Sequence, residues 1–214
     1  CAGHSVGEIA AAAASGLIDW EDALRFAHER GRLMGALPAG GAMAAAMLEP
    51  AAAEALVAGT GGAVSLAAVN GPRSVVLSGD AGALDTLTAG LEADGVPVRR
   101  LAVSHAFHSA LMDPALAGLE AGAPSGSGGS TTLVSTLPGG AGAWVDPAHW
   151  ARHAREPVRF ADALGTLATL GCTSLLEVGP GTTLRDLARP QLGAVHAVSA
   201  LGGADEQSDL LRAL

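Results

Sequence analysis

Tyrosine and lysine are both absent from this 214-residue chain, and aromatic residues make up only 3% of it. A core built on stacked rings is therefore excluded, and Ala, Val and Leu must supply most of the buried volume. The two cysteines, Cys1 and Cys172, provide neither a disulfide framework nor zinc-ligand spacing, and no metal or bound cofactor is expected. No apolar run reaches the length of a membrane span, and the start shows no signal-peptide pattern, so the expectation is a cytoplasmic protein with no membrane partner. Charge is sparse at 15% of residues, and the formal net charge of −9 argues against a general nucleic-acid-binding surface. What remains is a globular composition, 49% hydrophobic, long enough for one sizeable core or two smaller subdomains.

The most informative stretch is Gly3-His4-Ser5-Val6-Gly7. G-x-S-x-G is the pattern of a nucleophile elbow, in which glycines two places either side of the serine let a strand turn sharply into a helix and lift the hydroxyl clear of the backbone. Residues 8–14 read as that helix, with Glu8 as a helix-start charge and His4 as a packing or locally hydrogen-bonded residue. Only Cys1 and Ala2 precede the glycine, so the chain is expected to begin inside a domain, with the N-terminal part of its core missing.

A second helix is predicted over residues 20–37, with Asp19 as N-cap. Winding it at ~100° per residue places Ala23, Phe26, Ala27, Leu33 and Met34 on one stripe. Arg30 falls in the middle of that stripe, whereas Arg25 and Arg32 point away. A guanidinium on an apolar face requires an anion or several acceptors, or else a structural pair. From residue 41 to 104 the order changes to strand, helix, strand, strand, helix, strand, the split βαβ arrangement of a ferredoxin-like unit, with a hairpin around Asn70-Gly71-Pro72. The strands are expected over 41–48, 64–69, 74–78 and 96–103, and the helices over 50–58 and 81–93. Residues 121–142 read as surface loop around a short strand-like segment, 131–135. A helical stretch over 146–170, interrupted at Pro157, leads to strands over 174–178 and 194–200, a helix starting near Thr182 and another near Asp205. Strands alternating with helices outside 41–104 suggest a parallel sheet.

A serine nucleophile needs a base. His108, in Ser104-His105-Ala106-Phe107-His108-Ser109, is the preferred candidate because it follows the end of a strand, and His105 is its competitor. Taken in order, GHSVGE at 3–8, ERGRLM at 29–34, NGP at 70–72, HAFHSALMDP at 105–114, REPVRF at 155–160 and EVGPG at 177–181 resemble the acyltransferase domain of a modular polyketide synthase. That family is related to malonyl-CoA:acyl-carrier-protein transacylase, and the resemblance runs over essentially all 214 residues.

The resemblance implies an α/β-hydrolase-like core over 1–40 and 105–214 with a ferredoxin-like subdomain inserted over 41–104. It implies Ser5 as nucleophile, His108 as base, the Val6 amide as one oxyanion donor, and Arg30 as the arginine that binds a substrate carboxylate. The second oxyanion donor of the family comes from a glutamine motif upstream of the elbow. The imidazole is expected to be oriented by a main-chain carbonyl at the position aligning with His153. HAFH accompanies malonyl selection in the family and YASH methylmalonyl, so His105 and Phe107 are expected to limit the substituent on the substrate. The implied substrate is malonyl-CoA, and the implied partners are the phosphopantetheine of an acyl carrier protein and a neighbouring ketosynthase. Two rivals share part of this pattern: a serine hydrolase, which requires a triad acid and no carboxylate clamp, and a non-catalytic docking fragment.

Overall fold

The computed structural model describes residues 1–139, 141–142, 144–193 and 195–202. The chain forms two compact units, Cys1–Phe160 and Ala161–Leu214. The first opens with α1 (Gly7–Ala14) and α2 (Trp20–Gly35), the latter capped by the Asp19 carboxylate, which accepts from the Glu21 amide. Next come β1 (Gly41–Ala46), α3 (Pro50–Ala58), β2 (Val64–Gly71), β3 (Ser74–Asp80), α4 (Ala81–Ala93) and β4 (Val98–Arg100). These elements match the order expected from the sequence, although β4 is shorter than anticipated.

The four strands make one antiparallel sheet in the order β2-β3-β1-β4, with Ala44 opposite Leu77 on one side and Arg100 on the other. Small residues dominate β1, and its close approach to the following segment depends on Gly41. A Cβ there would stand 2.7 Å from the Ala106 Cβ and 2.9 Å from the Ala106 amide nitrogen.

A 3-10 turn, Ala110–Met112, runs into α5 (Asp113–Gly122), an element added to those expected; Pro114 sits in its first turn, where no backbone donor is needed. Most of the described part of 121–142 is loop, as expected. The two-residue strand β5 (Gly126–Ser127) is added, the strand-like segment 131–135 contains β6 (Leu133–Val134), and β7 (Ala141–Gly142) and β8 (Trp144–Val145) are further additions before α6 (Pro147–Arg155). They pair antiparallel as β5 with β8 and β6 with β7. Short strands here keep backbone groups satisfied where Leu133 and Val134 are buried. The main apolar cluster joins α1, α2, α5 and α6 through Ile9, Phe26, Leu119, Leu133 and Trp150. Burying each large side chain of this set contributes about 1.5–3 kcal/mol.

Helix α7 (Phe160–Thr169) starts on the last residue of the first unit; the second contains β9 (Ser174–Pro180), α8 (Thr183–Leu192) and β10 (His196–Leu201). Strands β9 and β10 pair in parallel, His196 opposite Ser174. Parallel pairing elsewhere, among the described residues, is limited to the single bridges Ala2 with Val134 and Ala68 with Val158. The helix expected near Asp205 lies outside the described residues. No helix among them is long and apolar enough to cross a membrane.

Gly41→Ala is expected to destabilise the chain by about 1–3 kcal/mol through overpacking against Ala106. Gly35→Ala, whose Cβ would meet nothing within 4 Å, should be neutral or slightly stabilising. Urea unfolding of the two variants side by side checks this.

Candidate active site

The elbow expected from the sequence forms. Ser5 has φ of 50°, in the left-handed region that a non-glycine residue occupies only at a cost, and α1 starts two residues later. Gly3 is obligatory: a Cβ at this position would lie 2.1 Å from the carbonyl carbon and oxygen of Gly7. Gly7 is not, since the same construction there meets nothing within 4 Å. The symmetric need for two glycines read from the motif is thus corrected, because only Gly3 faces the returning backbone. The Gly7, Glu8 and Ile9 amides donate to the carbonyls of His4, Ser5 and Val6. Val6 itself is the helix N-cap, and half of its side chain is exposed.

His108, 103 residues from Ser5, faces it. Its Nε2 lies 2.7 Å from Ser5 Oγ, and its Nδ1 lies 3.0 Å from the Glu156 carbonyl oxygen. A carbonyl can only accept, so Nδ1 carries the proton and Nε2 is left to accept from the serine hydroxyl. His108 is also left-handed, with φ of 57°, which makes it and Ser5 the two non-glycine residues with positive φ among the described residues.

The carbonyl is not that of His153, as the resemblance implied, but that of Glu156. Residues inside a helix direct their carbonyls along its axis, whereas Glu156 is the first residue past α6, extended at φ −81° and ψ 161°. Pro157 disfavours helical geometry at the residue before it, which leaves that carbonyl free to turn toward the imidazole. The sequence signal for this was the Glu156-Pro157 step and not the position four residues earlier.

Arg30 is buried on the apolar stripe of α2 with Ala23, Phe26 and Met34, as the helical periodicity predicts. Its Nη2 donates to Ser5 Oγ across 3.4 Å, and its Nε has no hydrogen-bond partner among the described residues. Burial lowers its pKa to about 10, so it remains a cation at neutral pH. Arg25 pairs with Glu21 and Asp22, and Arg32 with Glu29, both on the solvent side.

His105 donates from Nε2 to the Leu37 carbonyl at 3.0 Å and accepts at Nδ1 from Ser104 Oγ, also at 3.0 Å. Phe107 is half-buried, its ring centroid 6.2 Å from that of His105. His4 donates to Asn70 Oδ1 at 2.8 Å, linking the elbow to the β2–β3 hairpin, and packs edge-on against Phe160.

Glu8 was read from the sequence as a helix-start charge, and the structure corrects this. Its side chain is fully buried. Oε1 accepts from Ser135 Oγ at 2.7 Å and His149 Nε2 at 3.0 Å, and Oε2 accepts from the Thr136 amide at 2.8 Å and the Thr136 hydroxyl at 2.7 Å. His153 Nε2 stands 3.5 Å from Oε2. Burial alone would raise the pKa of this carboxyl, but the hydrogen bond from His149, the nearby His153 ring and the hydrogen bond from Ser135 together hold it well below the usual carboxylate range. The sequence signal was the spacing of His149 and His153, one turn apart on α6.

No group of three or more His, Cys, Asp or Glu side chains among the described residues is placed to hold a metal ion. What the site offers instead is a hydroxyl on a neutral imidazole, beside a buried cation with unused hydrogen-bonding capacity. That combination suits acyl transfer from a substrate bearing a carboxylate.

Comparison with known proteins agrees. Residues 1–198 match the family model of the acyl transferase domain. Polyketide synthase GfsA of Streptomyces halstedii is 46% identical over 215 aligned residues, covering 94% of this chain and 3% of that protein. The acyltransferase domain from the second module of the salinomycin polyketide synthase superposes with a TM-score of 0.94 at 40% identity, over 99% of this chain and 52% of that one. An acyl-carrier-protein S-malonyltransferase from Burkholderia pseudomallei gives a TM-score of 0.86 at 29% identity, over 98% of this chain and 72% of that one. The chain thus spans about half the length of the solved polyketide synthase domain and a small part of the synthase.

Burial, then repulsion from His153 and Arg30, lowers the His108 pKa from 6.5 to about 3. The unfolded chain therefore binds a proton near pH 6.5 that the folded chain refuses, and the stability this site contributes is complete above that pH and declines as pH falls toward 3. The expected slope is at most about 1.4 kcal/mol per pH unit. Glu8, also depressed, adds to the loss below its ordinary value of 4.5. His108→Gln should flatten the stability curve between pH 6.5 and 4.5, measured by urea midpoints in matched buffers.

Proposed function

Because this chain belongs to the acyl transferase domain family, we propose that it moves a malonyl unit from coenzyme A, through an ester on Ser5, to the phosphopantetheine thiol of an acyl carrier protein. The observation that carries the reading is the convergence on one hydroxyl oxygen of His108 Nε2 at 2.7 Å and Arg30 Nη2 at 3.4 Å. In this reading Ser5 Oγ attacks the thioester carbonyl while its proton passes to His108 Nε2. The carbon–sulfur bond then breaks, and CoA leaves as the thiol with that proton. The carrier-protein thiol repeats the sequence in reverse, giving its proton to His108 and releasing Ser5. The Val6 amide, directly after the nucleophile at the start of α1, is the proposed oxyanion donor.

Arg30 is the proposed fork for the free carboxylate of malonate. The same contact tunes the base: Arg30 is one of the charges depressing His108, and a carboxylate seated on it cancels part of that field and makes the imidazole a better proton acceptor once the substrate is bound. The Glu156 carbonyl at Nδ1 supports acyl transfer over a hydrolase triad, since the position that a triad acid would occupy is filled by main chain.

The finer architecture belongs to the same reading. Residues 41–104, with the observed strand order, form a ferredoxin-like subdomain inserted in an α/β-hydrolase-like core over 1–40 and 105–214. His105 and Phe107, leading into His108, bound the space beside the acyl α-carbon and favour malonyl over its methylated counterpart. The acyl carrier protein, and a ketosynthase in the same synthase, are the proposed partners.

Incubation with malonyl-CoA is expected to add one malonyl group, seen by intact-protein mass spectrometry and lost in Ser5→Ala; an adduct that survives that change would overturn the assignment. Arg30→Ala should abolish malonyl transfer while sparing or raising acetyl transfer, and an equal loss of both would make Arg30 structural. The double change His105→Tyr with Phe107→Ser should shift competition between the two CoA esters toward methylmalonyl by roughly tenfold, in line with the ~1–3 kcal/mol that one methyl contributes. The ratio of acyl-enzymes on Ser5 is the direct readout.

A further inference from the structure

We propose that Glu8 is a positioning residue for His108: its buried carboxylate joins the helix that carries the nucleophile to the helix whose end orients the base. The inference rests on the reading of His108 as that base. The Glu8 carboxylate bonds neither the Ser5 nor the His108 side chain, so any influence on the reaction must pass through other groups, and the structure offers a short route at each end.

At one end Glu8 lies three residues after Ser5, on the first turn of α1, and its amide accepts no freedom of its own because it donates to the Ser5 carbonyl at 2.8 Å. Moving the carboxylate moves the elbow. At the other end the carboxylate holds His149 at 3.0 Å and faces His153 at 3.5 Å, two residues one turn apart on α6 whose rings stack at 6.0 Å and 10°. That face of α6 ends at Glu156. Two features of the end of α6 then bear on His108: the Glu156 carbonyl at Nδ1, and the His153 ring, which meets the His108 ring edge-on at 6.3 Å and 87°. Carboxylate, α6, carbonyl and imidazole form one chain of contacts.

Of the remaining contacts of the carboxylate, the Thr136 carbonyl also accepts from the Arg159 amide at 2.8 Å, three residues past Glu156, whereas the hydrogen bonds of the Ser135 hydroxyl, to Glu8 and from the Leu137 amide, stay within the segment after β6. That hydroxyl supplies a built-in control. If Glu8 served stability alone, loosening either side of its shell should have the same consequence. If it positions the base, only the α6 side should affect His108.

The test compares Glu8→Gln with Ser135→Ala in the full chain, by two measurements. The first is the proton resonance of His108 Nδ1–H, assigned by its loss in His108→Gln, which reports the hydrogen bond to the Glu156 carbonyl. The second is the rate of Ser5 acylation by malonyl-CoA, separated into kcat and KM. Glu8→Gln is expected to shift or broaden the resonance and to lower kcat by about tenfold or more with KM within about twofold, the scale of loss that a small misplacement of a reacting group produces. Ser135→Ala is expected to lower the melting temperature with the resonance and kcat unmoved. A Glu8→Gln protein that melts lower yet keeps the wild-type resonance and kcat would overturn the proposal. Should Glu8→Gln fail to fold, His149→Phe keeps a ring beside His153, removes only the donor to Glu8, and is judged by the same two measurements. A resonance that moves in a chain whose wild type is never acylated on Ser5 would sink the functional reading and leave the positioning role standing.

Discussion

A carboxylate with no exposure to water organises the first unit. Taking Glu8 out of solvent costs several kcal/mol unless hydrogen-bond donors replace the lost hydration. Here Ser135, Thr136 and His149 do so, with His153 at the edge of reach. The donors come from two segments, both far from Glu8 in sequence, so satisfying one charge requires α1, the segment after β6 and α6 to arrive together. Such a group contributes little net stability compared with an apolar replacement of the same shape, but it penalises arrangements in which the pieces fail to meet.

Around it the backbone holds two non-glycine residues in the left-handed region, Ser5 and His108. Each such residue costs of order 1–3 kcal/mol, and the surrounding structure must supply it. For Ser5 the support is the tight return of Gly7 against Gly3. For His108 it includes the packing of Ala106 on Gly41 and the Glu156 carbonyl at its ring. Both strained residues are the proposed reacting groups, and the two side chains meet at 2.7 Å.

The electrostatics of the site bear directly on the base of the proposed mechanism. Burial is the main obstacle to a proton on His108, and His153 and Arg30 add to it. A substrate carboxylate relieves part of this by neutralising Arg30, so that selecting a dicarboxylic acyl group and activating the base become a single event in the proposed mechanism. An acyl group without the carboxylate forgoes both benefits.

Several features were determined by local sequence alone. Gly3 and Ser5 specify an elbow because only glycine tolerates the approach of Gly7, and the 3.6-residue period of α2 places Arg30 among apolar neighbours whatever the rest of the chain does. Turn chemistry and alternation likewise sufficed for the order of elements between Gly41 and Arg100. Tertiary structure alone decided the rest, because it depends on which distant groups share a dry space. Glu8 has the same place on its helix whether it meets water or His149, and only packing made it the buried centre of a network. That the Glu156 carbonyl reaches Nδ1 of His108, and that the His108 already preferred in the sequence meets Ser5 across 103 residues, depend on how distant segments are brought together.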